Sequence, residues 1–223
     1  PLAVTKKLAE FAARTTFDTI PDEVVDRARL AIADSIGTAL AGIGEPAVAL
    51  LREVTLADYR EGSATVIGCA RKASSPAAAM ANGAAAHALD FDSISLTVSG
   101  FVSSPILFTL LAIAEEDGGV SGRSLIEAFV VGWEVEAAIA RGLGVHHYDG
   151  GWHSTATLAH FGAAVGAAKL LGLDSMGIRH AIGIAASEAS GLRTMVGNML
   201  NPFHVGKAAR NGVLAARLAA RNF

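Results

Sequence analysis

Ala81-Asn82-Gly83-Ala84-Ala85-Ala86-His87-Ala88-Leu89-Asp90-Phe91-Asp92 is the stretch on which the fold turns. Ser75-Pro76 ahead of it is a helix start, since proline fits the first turn, and the helix is expected to run through about residue 90. Ala81, Ala84, Ala85, Ala86 and Ala88 surround His87 and Asp90 and offer them few polar partners. A helix this poor in surface charge is expected to be buried, and a buried carboxylate costs several kcal/mol unless it is paired or used. His87 and Asp90, three apart, share one helix face. Two readings stay open: a site for chemistry, or a buried His–Asp hydrogen bond that fixes a helix end.

Helical periodicity extends in both directions from this segment. Leu2, Val4, Leu8, Phe11 and Ala12 have amphipathic spacing over 2–14. Pro21 with Asp22 and Glu23 opens a second helix that loses order near Gly42 and Gly44, and a third covers about 46–57. Helices are further expected over about 104–116, from Ser121–Leu125 to Gly142, and over about 154–171, 175–190 and 203–221, with Asp174-Ser175 as a cap. Ser63-Ala64-Thr65-Val66-Ile67-Gly68 is the one extended piece. Gly162 with Gly166, Ala163 with Ala167 and Ala215 with Ala219 predict tight helix packing rather than a ligand site. The fold class is all-α, in one domain over 1–223. The uncapped end at Arg221-Asn222-Phe223 carries the expectation that a larger protein continues beyond it.

Hydrophobic residues make up 52% of the chain and charged ones 17%, with mean hydropathy +0.42. No window matches a membrane span, which needs about 20 apolar residues. The longest apolar run, 106–114, lies between Ser103-Ser104-Pro105 and Glu115-Glu116-Asp117. The surplus therefore predicts helices buried on several sides or a large oligomeric interface. A net charge of −3 with scattered Lys and Arg gives no footprint for nucleic acid. Cys69 is alone, so a disulfide framework or a cysteine metal site within the chain is excluded. With neither a signal-peptide pattern nor an N-x-S/T sequon, the chain is read as cytoplasmic.

Two more segments carry titratable groups. Four histidines, at 146, 147, 153 and 160, fit no common structural zinc spacing and have no partner cysteines, so no metal is expected. His153 instead follows Gly150-Gly151-Trp152 and precedes Ser154-Thr155 at a helix start, where backbone N–H groups hold an anion and a histidine moves a proton. The alternative is an ordinary loop histidine. His204, Lys207 and Arg210, at i, i+3 and i+6 after Asn201-Pro202-Phe203, cluster on one side of a helix and suit substrate carboxylates. The alternative there is a solvated face. Nucleotide chemistry and serine hydrolysis are disfavoured, because the chain lacks a G-x-G-x-x-G after a strand, a Walker A sequence, an H-E-x-x-H and a G-x-S-x-G elbow.

These segments, with Leu8-Ala9-Glu10-Phe11-Ala12, Arg29-Leu30-Ala31-Ile32-Ala33-Asp34-Ser35-Ile36-Gly37, Ala64-Thr65-Val66-Ile67-Gly68, Ala167-Ala168-Lys169-Leu170-Leu171-Gly172-Leu173 and His204-Val205-Gly206-Lys207-Ala208-Ala209, resemble the MmgE/PrpD family almost end to end. That family includes 2-methylcitrate dehydratase, cis-aconitate decarboxylase and iminodisuccinate epimerase. The resemblance implies a large helical domain with the active site and a smaller α+β lid that this chain does not reach. It also implies a homodimer, no iron–sulfur cluster or other cofactor, and a small polycarboxylate substrate.

Residue by residue, the resemblance makes Asp90 and His153 the catalytic pair. His204, Lys207, Arg210, Asn201 and His87 fall to substrate binding. Three expected groups are replaced. Ser93-Ile94 stands where the family often has Asp-Thr, and Gly100-Phe101-Val102-Ser103-Ser104 lacks a histidine. Asn201 occupies the position of a lysine. The implied function is a dehydratase-like lyase that abstracts a proton next to a carboxylate of a di- or tricarboxylate. An epimerase of a dicarboxylate such as iminodisuccinate is the near alternative. The replacements at Phe101 and Asn201 support another class, a catalytically silent paralogue that binds carboxylates or supports a dimer. A purely structural scaffold would leave Asp90 and His153 in matching motifs as coincidence.

Overall fold

A computed structural model of the chain describes residues 2–58 and 61–223, and the side chains of all of these except Leu2 and Ala3. Among the described residues ten α-helices run in the order α1 (Leu2–Arg14), α2 (Asp22–Gly42), α3 (Pro46–Asp58), α4 (Ser75–His87), α5 (Ser103–Asp117), α6 (Gly122–Leu143), α7 (His146–Asp149), α8 (Ser154–Leu170), α9 (Ser175–Glu188) and α10 (Leu200–Ala219). The fold is all-α. Its one described sheet is a two-stranded antiparallel hairpin, β1 (Ile94–Ser95) and β2 (Gly100–Phe101), with Ile94 opposite Phe101. Among the described residues no helix is long and apolar enough to cross a membrane.

The alanine-rich helices form the centre. In α4 every residue except Pro76 is buried, and in α8 every residue from Ser154 to Ala168 except Phe161. Both pack along α10, and α8 also crosses α6 and α9. Side chains of one carbon let backbones approach closely enough to keep interior density near that of a crystal. At the tightest crossings even that carbon is missing. A Cβ on Gly206 would come within 2.4 Å of the Met80 carbonyl oxygen, and one on Gly132 within 2.5 Å of that of Gly162. The small-residue spacing is thus packing, as its sequence pattern predicts.

Three expectations fail for physical reasons. The segment 63–68 is not a strand: Ala64 makes a single bridge to Ala73, and Asn82 holds the segment on α4, accepting from the Ile67 N–H at 2.8 Å and donating to the Thr65 carbonyl at 2.8 Å. On α1 the buried face is Ala9 and Ala12, while Val4 and Phe11 are exposed, so its period marks a different stripe. The side chain of Leu2, assigned to that stripe, lies outside the described residues. Finally, α4 stops at His87 rather than near 90. The chain tightens there, with the Asp90 N–H bonded to the His87 carbonyl, and Asp90 takes φ +57°. Aspartate is among the few side chains that adopt this left-handed region readily.

Candidate active site

The early end of α4 decides which carboxylate is buried. The turn carries Asp90 outward, leaving its side chain 56% exposed, and returns Asp92 inward, to 1%. Asp92 Oδ1 then lies 2.8 Å from Nδ1 of the fully buried His87, and Asp92 Oδ2 accepts from the Ser104 hydroxyl at 2.9 Å. This is a closed buried unit in which each carboxylate oxygen has a donor, the condition under which a buried charge is tolerated. With a carboxylate as acceptor, His87 holds a proton on Nδ1. Its Nε2 has no hydrogen-bond partner and stands 3.5 Å from Asp90 Oδ1, while the Phe101 ring packs edge-on, 4.4 Å between centroids.

A second unit forms where α8 begins. His153 is the residue before its first turn, and its backbone N–H donates to the Gly191 carbonyl at 3.1 Å. Its ring Nδ1 lies 2.9 Å from Nδ1 of His204 on the first turns of α10, and both residues are buried. Burial, joined by the nearby His204 and His87, lowers His153 from 6.5 to about 4. Burial, Lys207 and His87 lower His204 likewise to about 4. Both rings are therefore neutral at pH 7. The hairpin is docked on this helix start, with the Phe101 N–H donating to Thr155 Oγ1 at 3.0 Å.

Asn201, one turn before His204 on α10, reaches Asp90. Its Nδ2 donates to Asp90 Oδ1 at 3.4 Å, and its own buried Oδ1 lacks a partner. Asp90 and Asn201 share the wall of a cavity of about 400 Å³ with Ala88, Leu89, Asn198 and Met199. A larger cavity of about 500 Å³, between α2, the hairpin and α6, is lined by Val24, Phe129 and Trp133 with Arg27 and Glu134, and it includes the replaced pair Ser93-Ile94 but none of the residues assigned to catalysis or substrate binding. The smaller one brings Asp90 and Asn201 to one wall and is the candidate site.

The structure thus brings His87, Asp90 and Asn201 together and pairs His153 with His204. Lys207 and Arg210 lie farther along α10 and are engaged elsewhere. Lys207 donates to the Ser190 carbonyl (2.5 Å) and hydroxyl (2.9 Å), and Arg210 Nε donates to Asn211 Oδ1 at 3.0 Å. Burial lowers Lys207 from 10.5, opposed by the nearby Glu188. Behind them Asn211 donates to Glu188 at 2.5 Å and to Nε2 of the fully buried His160 at 3.2 Å. The sequence reading missed Asp92 and Ser104, although D-F-D was quoted in the motif. It also missed the Glu188–Asn211–His160 group, for which no short spacing gives a signal. Among the described residues, no three His, Cys, Asp or Glu side chains gather as a metal ion would need.

Residues 6–223 match the MmgE/PrpD N-terminal domain. The chain belongs to the MmgE/PrpD family. It is 32% identical over 222 residues to a cis-aconitate decarboxylase of Aspergillus terreus, covering 97% of this chain and 45% of that protein. A cis-aconitate decarboxylase-like protein of Aspergillus oryzae is 31% identical over 229 residues, or 97% of this chain and 46% of that one. The cis-aconitate decarboxylase of Homo sapiens is 30% identical over 205 residues, 90% and 42%. The chain therefore spans less than half the length of these relatives.

Proposed function

We propose that this chain carries the active-site domain of a lyase-type enzyme that acts on a small di- or tricarboxylate by moving a proton on the carbon beside a carboxylate. The observation that carries this reading is the neutral, buried His153–His204 pair, with His204 one turn along α10 from Asn201, which with Asp90 walls a cavity. A carbanion beside a carboxylate is very unstable, so such a reaction needs a neutral base at neutral pH and placed donors for the developing charge. Burial supplies the first by holding His153 unprotonated. His153 is the general base. Asp90, presented by the left-handed turn and held by the Asn201 amide, orients the substrate or its proton acceptor. Asn201 lines the cavity, His87 Nε2 backs Asp90 at 3.5 Å, and Lys207 and Arg210 bind substrate carboxylates once Lys207 leaves Ser190.

Relatives named cis-aconitate decarboxylases support the lyase class. Dehydration, as of 2-methylcitrate, and epimerisation of a dicarboxylate such as iminodisuccinate start from the same proton abstraction. The assembly we infer is a cytoplasmic homodimer. Proton NMR in D₂O with 2-methylcitrate, cis-aconitate, citrate and iminodisuccinate tests the reading. The expected result is deuterium entry or product formation that disappears in His153→Ala, and activity unchanged in that variant removes His153 from the mechanism.

A second reading, a silent carboxylate-binding paralogue, is favoured by Phe101, whose ring fills the space against His87 where the family resemblance places a histidine. Thermal stabilisation by these acids without turnover would select it.

A further inference from the structure

His153 and His204 meet through Nδ1 on both rings, 2.9 Å apart, with the rings tilted by 45°. An imidazole nitrogen accepts a hydrogen bond only when it carries no proton, so a contact of this length holds one proton between the two nitrogens. A neutral imidazole has one proton in all. The ring whose Nδ1–H donates across the bridge therefore has a bare Nε2, and the ring whose Nδ1 accepts keeps its proton on Nε2. The pair presents one base and one acid. A shift of the bridging proton, with exchange at the outer nitrogens, reverses their roles.

The surroundings leave this choice open. Among the described residues neither Nε2 has a hydrogen-bond partner, and neither ring has a carboxylate at hydrogen-bond or ion-pair distance. Space at His204 Nε2 is preserved by Gly191. A Cβ there would stand 3.3 Å from that nitrogen and 2.2 Å from Ala156 Cβ, at a φ of +150° that side chains rarely adopt. The site also disfavours a cation, because the rings are buried and the charge of Lys207 opposes protonation of His204. A single histidine acting as base here would end as a buried imidazolium with no counter-ion.

We propose that His153 and His204 act as one tautomeric proton relay, in which a proton taken up at one Nε2 is matched, through the Nδ1 bridge, by a proton given up at the other. The proposal rests on the polycarboxylate reading above and adds His204 as the second proton-transfer group. The step balances. The substrate C–H bond breaks and its electron pair stays on carbon, while its proton bonds to the bare Nε2. The bridging proton passes from that ring's Nδ1 to the partner's Nδ1, and the partner's Nε2 proton goes to the leaving oxygen or to the opposite face of the carbon. Both rings remain neutral throughout, with their tautomers exchanged, and solvent exchange at Nε2 restores the starting state.

Two measurements on the full chain test it. The first is ¹⁵N NMR of the histidine-labelled protein at pH 7 without ligand, with assignments from His153→Asn and His204→Asn. The relay requires the two Nδ1 nitrogens together to carry one proton and the two Nε2 nitrogens together to carry one. Two protons on the Nε2 nitrogens and none at the bridge, or an imidazolium on either ring, overturn it. The second is His204→Asn, whose amide reproduces the Nδ1 hydrogen bond and relays no proton. Product formation and deuterium exchange into substrate are both expected to fall by about 10²–10⁴, because His153 alone would end as a buried imidazolium, while thermal stabilisation by the acids is retained. Unchanged rates, or a loss of that stabilisation in step with them, would assign His204 a structural role only. If the unaltered protein turns over none of the acids, the substrate reading fails, and the bridge-proton count alone decides whether the relay stands.

Discussion

Three buried titratable units divide the possibilities between them. His87 and Asp92 form an imidazole with a carboxylate, each satisfied, with Ser104 completing the shell. His153 and His204 are imidazoles without a carboxylate. Glu136, in the α6–α8 crossing, is a carboxyl without an imidazole: it is fully buried, neither oxygen has a partner among the described residues, and burial raises it well above 4.5. The difference teaches what each is for. A paired histidine is locked in one tautomer and fixes the turn after α4. An unpaired pair stays neutral and free to exchange protons, which catalysis requires. A lone carboxyl stays protonated and acts as a packing group, for which Gly162 leaves the space: a Cβ there would fall 2.2 Å from Glu136 Oε2.

The largest expected effect breaks the first unit. Asp92→Ala leaves His87 Nδ1 and Ser104 unpartnered in the interior and is expected to destabilise the fold by about 3–5 kcal/mol in chemical denaturation. A loss below about 1 kcal/mol would mean that the pair is not the lock described here.

The second prediction separates the histidine pair by pH. Folded His153 and His204 titrate near 4, whereas in the unfolded chain they return to about 6.5. The unfolded chain then binds more protons between these values, so stability present above 6.5 is lost as pH falls towards 4, by about 2–4 kcal/mol. Denaturation midpoints across pH 4–8 check this, and a double His153→Asn, His204→Asn variant should reduce the slope to the part left by buried His160, which burial lowers to about 3.

Glu136 slopes the other way. Its folded value lies above its unfolded one, so its contribution is intact below 4.5 and declines as pH rises beyond it. Glu136→Gln removes the ionisation and is expected to gain about 1–2 kcal/mol at pH 8 relative to pH 4.5. An unchanged slope would show that the carboxyl finds a cation. The smallest effect is that of Ser104→Ala, a loss of about 0.5–1 kcal/mol, because Asp92 keeps His87 as its stronger donor.

Much of this architecture was legible along the chain. Pro21, Ser75-Pro76, Ser121 and Asp174 mark helix starts by local chemistry, and the runs behind them are periodic, so α2, α4, α6 and α9 begin within a residue or two of where the sequence puts them. The family was legible too, in motifs spread over nearly the whole chain. The hairpin was not, because its strands have two residues each and no alternating pattern can show in so short a run.

The sequence by itself determined that the chain is helical, that its central helices are too poor in charge to face water, and that His87, Asp90, His153 and His204 sit in motifs of one family. Local spacing and composition suffice for that, since helix periodicity and caps are short-range properties. Only the tertiary structure decided that Asp92 and not Asp90 is buried, because one left-handed residue reverses which side chain faces inward. It alone joined His153 to His204 across 51 positions of chain and left Glu136 without a partner. Those outcomes depend on how α4, α6, α8 and α10 cross, and a crossing is set by shape complementarity between distant segments rather than by any neighbour in the sequence.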